Sequence, residues 1–261
     1  MARFSSLPRF FNSTNLQMKG ASRLYSGGVR KMTDNKEIRI AAVIAAAGIG
    51  ERMNAGVPKA FVELGGKPIV WHSAKTISML PQIGAVVLAA PPGWMEKAAK
   101  MFADEFPNMS VIEGRATRQE TVRKALEALP ADTTIALIHD GARPLATPEL
   151  FRAVIAGAVE HGACVPSMPV EETVKRVRGG NVSETLDRSE IHIVQTPQAF
   201  YFESILEAHE LAEERKWRAT DDAALIERLG RPVAVVHGEP SNIKITRPAD
   251  LKLASGLLAE K

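Results

Sequence analysis

Ile40-Ala41-Ala42-Val43-Ile44-Ala45-Ala46-Ala47-Gly48-Ile49-Gly50-Glu51-Arg52-Met53 is an apolar run that opens into a glycine turn, with Pro58-Lys59 close behind. An apolar stretch from Ile40 to Ala47, without alternation, reads as a strand buried on both faces. Where such a strand opens into a glycine-rich turn, bare backbone N–H groups form an arc that suits phosphate. Arg52 and Lys59 put cationic charge on the same loop. Two commoner glycine motifs are excluded. A dinucleotide fingerprint needs a third glycine where this chain has Met53, and a Walker A loop needs a Gly-Lys-Ser/Thr that does not occur. The plain alternative is a tight strand-to-helix turn with no ligand, and the two cations weigh against it. A site that handles a nucleoside triphosphate is the reading this loop suggests.

Downstream, short apolar runs alternate with helical periodicity. Strands are predicted at 85–90, 110–112, 134–139 and 163–170, and helices at 68–80, 94–106, 117–129 and 148–161. The helix at 117–129 carries Val122, Leu126 and Leu129 on one side. Such alternation predicts an α/β fold, a mostly parallel sheet with helices on both faces. The pattern breaks between Pro169 and Pro197, where 172–177 and 183–187 flank Arg178-Gly179-Gly180-Asn181, a hairpin turn. This predicts a projecting β-arm at about 169–197. An isolated hairpin is marginal in water, so it packs either on a symmetry-related subunit or on its own domain. Helices at 202–216 and 221–229, strands at 233–237 and 243–246, and a last helix at 248–258 complete the chain.

The 261 residues suffice for one large domain or two small ones. No apolar stretch reaches the length of a membrane span, so no membrane partner is expected. The net charge of +3 is unevenly placed: residues 1–33 hold six basic residues and no acid, leaving −3 on the rest. The basic balance thus belongs to a leader and gives no reason to expect a nucleic-acid partner. Residues 1–36 are expected to be a disordered basic leader, since they cannot bury enough apolar area to offset ordering entropy. Either an organelle transit peptide or a little-used start upstream of Met32 accounts for them. The expected compartment is the cytoplasm, or a plastid or other organelle if the leader is a transit peptide. The single cysteine, Cys164, sits in a strand-like segment and reads as a buried inert thiol.

In an open parallel sheet, ligands sit at the carboxyl ends of the strands. Four segments fall there: 48–59, 114–121, 140–144 and 242–246. Asp140 at a strand end beside a triphosphate is a natural Mg²⁺ ligand, direct or indirect, or else a cap. His139 precedes it and points to the opposite face, as a packed residue. Arg143 reaches an anionic substrate or a surface acid. Thr117 either caps its helix or reads a base.

Taken together these motifs resemble the 2-C-methyl-D-erythritol 4-phosphate cytidylyltransferases. The likeness runs from about Ile40 to the C-terminus. It rests on the loop 45–53 with Pro58-Lys59, on His139-Asp140-Gly141-Ala142-Arg143-Pro144, on Asp187-Arg188, on Thr196-Pro197-Gln198, and on Asn242-Ile243-Lys244-Ile245-Thr246-Arg247-Pro248.

The resemblance implies a Rossmann-like nucleotidyltransferase fold. It implies that CTP and an alditol phosphate give a CDP-alditol and pyrophosphate, with Mg²⁺ as cofactor. It assigns Arg52 and Lys59 to the α-phosphate and the leaving pyrophosphate, and Arg188 and Lys244 to the incoming phosphate. Ala46, Ala47, Gly48, Gly50, Gly114, Thr121 and Asp140 would hold the nucleotide. Thr173, Arg143 and Thr196 would hold the alditol, Thr173 from the arm. A homodimer joined through the β-arm is implied as well. This chain departs from the family pattern at Arg115, where a glycine is usual, at Ala116, usually a polar residue, and at Thr121, usually Ser. Glu171-Glu172 also departs, replacing the more frequent Val/Lys-Asp before Thr173.

Overall fold

The computed structural model describes residues 38–48, 50, 53 and 56–260. Arg52, Glu51 and the leader of 1–36 lie outside the described residues.

The central sheet begins with β1 (Ile40–Ala45), whose residues are nearly all buried because both faces are covered. The small hairpin β2 (Glu63–Leu64) and β3 (Lys67–Pro68) leads into α1 (Ile69–Ser78), entered behind Pro68. Then come β4 (Ile83–Ala90), α2 (Met95–Phe102), β5 (Met109–Glu113) and α3 (Arg118–Glu127). After β6 (Ile135–Asp140), α4 (Pro148–His161) ends at Gly162, whose φ of 86° is the left-handed conformation that a helix stop favours. Next are β7 (Ala163–Pro169) and the arm, β8 (Lys175–Arg178) with β9 (Asn181–Thr185). The chain returns through β10 (His192–Val194) and β11 (Gln198–Tyr201). It closes with α5 (Phe202–Glu214), α6 (Ala223–Arg228), β12 (Ala234–His237) and α7 (Pro248–Ala259).

The sheet order is β10-β7-β11-β6-β1-β4-β5, with β12 paired to β7. β4, β1 and β6 run parallel, as do β4 with β5 and β7 with β12, while β10 and β11 run against their neighbours. The mostly parallel sheet read from the sequence is what the chain forms.

Strand alternation assigns each face its core. Ile40, Ala42, Ile44, Ile135 and Leu137 pack with α1, α2 and α4 through Ile77, Phe102 and Phe151. Ala41, Val43, Ala136 and Ile138 pack with α3, α5 and α6 through Val122, Leu126, Ile205 and Ile226. A third cluster joins Met53, Leu64, Leu145 and Ile245 to α7 through Ala254. Cys164 is fully buried, and burial pushes its thiol up to about 11, as an inert thiol requires.

Two expectations need correction. Residues 243–246 form no strand. Ile245 donates a single backbone bond to Ala142 at 2.8 Å and is buried in the third cluster, so the alternation there marks a pinned loop. The return to the sheet also contains β11, an antiparallel strand between β6 and β7 that the sequence reading did not include.

Candidate active site

Three loops leave the sheet along one edge, and backbone bonds lock them together. Ala46 donates to Ala89 at 3.0 Å, Gly114 to Ala90 at 2.8 Å, and Gly141 to Ala45 at 3.0 Å. The loops after β1 and β5 are thereby both tied to the end of β4, and the loop after β6 to the end of β1. Gly114 has no room for a side chain: a methyl there would overlap Cβ of Ala47 and press on Thr121 Cγ2 at 3.2 Å. Gly50, at φ 69°, lies against Cβ of Lys59 in the same way. Backbone in the left-handed region plus a blocked Cβ makes glycine the residue that fits. Gly48 is exposed and Ala46 buried, so the loop turns outward as it passes the sheet edge.

Thr117 is a cap. Its hydroxyl accepts from the Glu120 N–H while Glu120 reaches back to the Thr117 N–H, a reciprocal capping box. Thr121 is buried, and its hydroxyl accepts from the Arg115 N–H at 2.9 Å. It shapes the loop through Arg115, whose side chain, like Ala116, stands exposed.

Asp140 ends β6 on the face of α3 and α5. Arg118 donates to its Oδ1 at 2.9 Å and Lys244 to its Oδ2 at 2.6 Å. Burial alone would raise this carboxyl, but Arg118 and Lys244 outweigh it and hold the group well below the usual carboxylate range. Asp140 also donates its own N–H to Thr196 Oγ1 at 3.0 Å. Lys244 is placed by its neighbours. Buried Asn242 donates to the Thr196 carbonyl at 2.9 Å and to Gln195 Oε1 at 3.1 Å, and Ile245 is anchored on Ala142.

Arg143, 9% exposed, donates Nη1 to the Asn242 carbonyl at 2.7 Å while its Nε is buried without a partner. Burial, with Arg118 adding to it against Asp140, lowers its pKa from the ordinary value.

His139 points to the other face, as its place in the strand predicts, and packs on Phe151 with ring centroids 5.0 Å apart. Its Nε2 lies 3.1 Å from the Arg143 carbonyl and its Nδ1 3.2 Å from Thr196 Oγ1. A carbonyl only accepts, so Nε2 carries the hydrogen and the Thr196 hydroxyl donates to Nδ1. Burial pushes His139 down to about 4.

Arg118, Asp140, Arg143, Thr196 and Lys244 line a cavity of about 220 Å³ with Asp221 and others, whereas Lys59, Gly48, Gly50, Gly114 and Thr121 are not among its lining residues. The structure thus brings Asp140, Arg143, Thr196 and Lys244 together. Thr173 and Arg188, on and beside the arm, are exposed and do not line it, and the Arg188 guanidinium donates to the Glu171 carbonyl. Sequence reasoning missed Arg118, Thr220 and Asp221. The one available signal is the carboxylate pair Asp221-Asp222 opening a helix.

Among the described residues no cluster of three His, Cys, Asp or Glu could cage a metal ion. Mg²⁺ is commonly held by one or two carboxylates plus substrate phosphates, and the cavity presents two, Asp140 and Asp221; with Arg118 on Oδ1 and Lys244 on Oδ2, Asp140 offers Oδ2 to a metal only as Lys244 turns to substrate. No helix of the described residues is long and apolar enough to cross a membrane.

The family model of 2-C-methyl-D-erythritol 4-phosphate cytidylyltransferase (IspD) matches residues 40–260. A 2-C-methyl-D-erythritol 4-phosphate cytidylyltransferase of Geobacillus thermodenitrificans is 40% identical over 223 residues, covering 84% of this chain and 97% of that relative. One from Synechococcus is 40% identical over 220 residues, covering 84% of this chain and 99% of that one. Among solved structures, the Thermus thermophilus cytidylyltransferase superposes with a TM-score of 0.71 at 35% identity, over 85% of this chain and all of that one. The 4-diphosphocytidyl-2C-methyl-D-erythritol synthase of Anaerococcus prevotii gives 0.77 at 31%, over 85% and 96% of the two chains. This chain therefore belongs to the 2-C-methyl-D-erythritol 4-phosphate cytidylyltransferase family.

Proposed function

We propose that this chain transfers the cytidylyl group of CTP to 2-C-methyl-D-erythritol 4-phosphate, releasing pyrophosphate and supplying an isoprenoid precursor. The observation that carries the reading is the cationic cavity at the end of β6, the strand paired with β1 from which the glycine loop emerges. Lys244, Arg143 and Arg118 line it together with the carboxylates of Asp140 and Asp221, at the edge of the sheet from which Gly48, Gly50 and Gly114 also emerge.

A phosphate oxygen of the alditol attacks the α-phosphorus of CTP. A new P–O bond forms as the α–β anhydride bond breaks, and pyrophosphate leaves with the electron pair. Two anions must meet, so alignment and charge neutralisation matter more than a general base. Lys244 and Arg143 hold the incoming phosphate in line. Lys59, with Arg52 on the same loop, meets the charge on the α-phosphate and the departing pyrophosphate. Ala46, Ala47, Gly48, Gly50 and Gly114 approach the nucleotide through backbone, with Thr121 bracing that surface. Asp140 orients the ribose, and Thr196 borders the alditol pocket. Mg²⁺, when bound at Asp140 and the triphosphate, supplies Lewis-acid neutralisation of phosphate charge.

Thr173 and Arg188 act from the arm on a second copy of the chain, in a homodimer. Supporting this, both are exposed and stand outside their own cavity, and the arm exposes Val177 at 58% and Val182 at 61%. An apolar pair left in water on an isolated two-stranded hairpin calls for a covering surface.

Pyrophosphate release from CTP against a panel of alditol phosphates tests the reading. Turnover with 2-C-methyl-D-erythritol 4-phosphate is expected. Turnover only with ribitol 5-phosphate would reject the substrate, and none with any alditol would reject the activity.

A further inference from the structure

The Asp140 carboxylate is gripped from the side opposite Lys244 by a residue with no assigned part in the reaction. Arg118 opens α3 directly after its cap. Its Nε donates to Asp140 Oδ1 at 2.9 Å and its Nη2 to Asp222 Oδ2 at 2.8 Å. Asp222, 1% exposed, is held in turn by His209 Nε2 at 3.1 Å, itself buried in α5. The guanidinium fork thus spans two carboxylates, and the one behind it is fixed from the core.

Gln119, next in the chain, takes the same loop from a second side. It donates Nε2 to the Trp217 carbonyl at 3.0 Å and accepts from the Ala219 N–H at 3.0 Å. The first turn of α3 therefore ties down residues 217–222, whose Thr220 and Asp221 line the cavity.

We propose that Arg118 is a positioning residue for the transfer: braced by Asp222 and His209, it fixes the Asp140 carboxylate so that its other oxygen faces Lys244 and the cleft. A planar fork holds two carboxylates at a set angle, which the point charge of an ammonium cannot do. Asp222 acts only through Arg118, since it is not itself among the residues lining the cavity. This role rests on the proposed cytidylyl transfer.

The experiment compares wild type with Arg118→Lys, Arg118→Gln, Asp222→Asn and the Arg118→Gln/Asp222→Asn double variant in pyrophosphate release, alongside melting temperature and CTP binding by calorimetry. Arg118→Gln is expected to lower kcat by about 10²-fold, the cost of misplacing a group by roughly an ångström, with CTP affinity changed much less. Arg118→Lys should recover only part of the loss. The double variant should be no worse than Arg118→Gln.

A kcat within twofold of wild type in Arg118→Gln, or losses that multiply in the double variant, overturns the proposal. A crystal structure of Arg118→Gln gives a readout free of turnover. Expected is Asp140 turned from its Lys244 contact, and an unmoved carboxylate also overturns it. If wild type releases no pyrophosphate, the transfer reading falls, and the crystal structure alone then decides whether Arg118 positions Asp140.

Discussion

Lys244 donates to Oδ2 of Asp140 at 2.6 Å, with the lysine side chain 38% exposed and the aspartate side chain 8% exposed. The pairing is unequal. The carboxylate sits where it is dry and needs a cation, whereas the ammonium can turn toward a phosphate without leaving water. Arg118 retains the other oxygen, so Asp140 stays neutralised when Lys244 engages substrate.

Removing Lys244 should therefore harm rate more than stability. Lys244→Ala is expected to cut kcat by about 10²–10³, the scale for one preorganised charge stabiliser. The fold should lose less than the rate does, because Lys244 is itself partly exposed and Arg118 still neutralises the buried carboxylate. Pyrophosphate release and a denaturant melt check the two halves. A near-normal rate would take Lys244 out of its role, and the same reasoning applies to Lys59→Ala.

Gly114 should prove a nucleotide residue without touching the nucleotide through a side chain. Its methyl would drive into Ala47 and the Ala90 carbonyl, moving the loop after β1. Overpacking costs typically about 1–3 kcal/mol. Gly157→Ala is the control, since its methyl would meet the sulfur of Cys164 in the core instead. Both variants should melt lower, but only Gly114→Ala should weaken CTP binding by calorimetry. Equal CTP affinity in the two would separate Gly114 from the site.

The sheet and the site's inner side are legible in the sequence because apolar runs fix where each strand stops. Ala45, Asp140 and their loops follow from the runs before them, and the alternation in β6 already sends His139 and Asp140 to opposite faces. Arg118 is not legible. It reads as the exposed first turn of an amphipathic helix, and its partner Asp222 lies 104 positions away. Its burial depends on α3 and α6 packing on one face, which no local period encodes. β11 escapes for a related reason: four residues inserted between strands of opposite direction carry too short a pattern to announce a strand.

The arm prediction is about assembly. Val177 and Val182 face each other across the β8–β9 ladder and are both exposed. Val182→Glu puts a charge into that pair and into whatever surface covers it. In analytical ultracentrifugation the wild type should sediment as a dimer and the variant as a monomer at the same concentration, with turnover reduced. A wild-type monomer, or a variant dimer of unchanged strength, removes the arm from the interface.

His139 sets the acid limit. Its Nε2–H is committed to the Arg143 carbonyl and its Nδ1 lone pair to the Thr196 hydroxyl, so a second proton must reverse the Thr196 bond and brings charge into a dry site. The folded value near 4 lies below the value of about 6.5 for an unfolded histidine. As pH falls through that window the unfolded chain takes the proton first, so stability is full above about pH 6.5 and declines toward pH 4, by about 3 kcal/mol at most. Asp140 and Asp222, both held below the carboxylate range, subtract only further down, once unfolded carboxylates protonate below about pH 4. A decline that begins near pH 6 therefore precedes that of the carboxylates. Melting temperatures from pH 4 to 8 should fall less steeply in His139→Gln than in wild type, even if the variant starts lower. Parallel curves would place the acid sensitivity elsewhere.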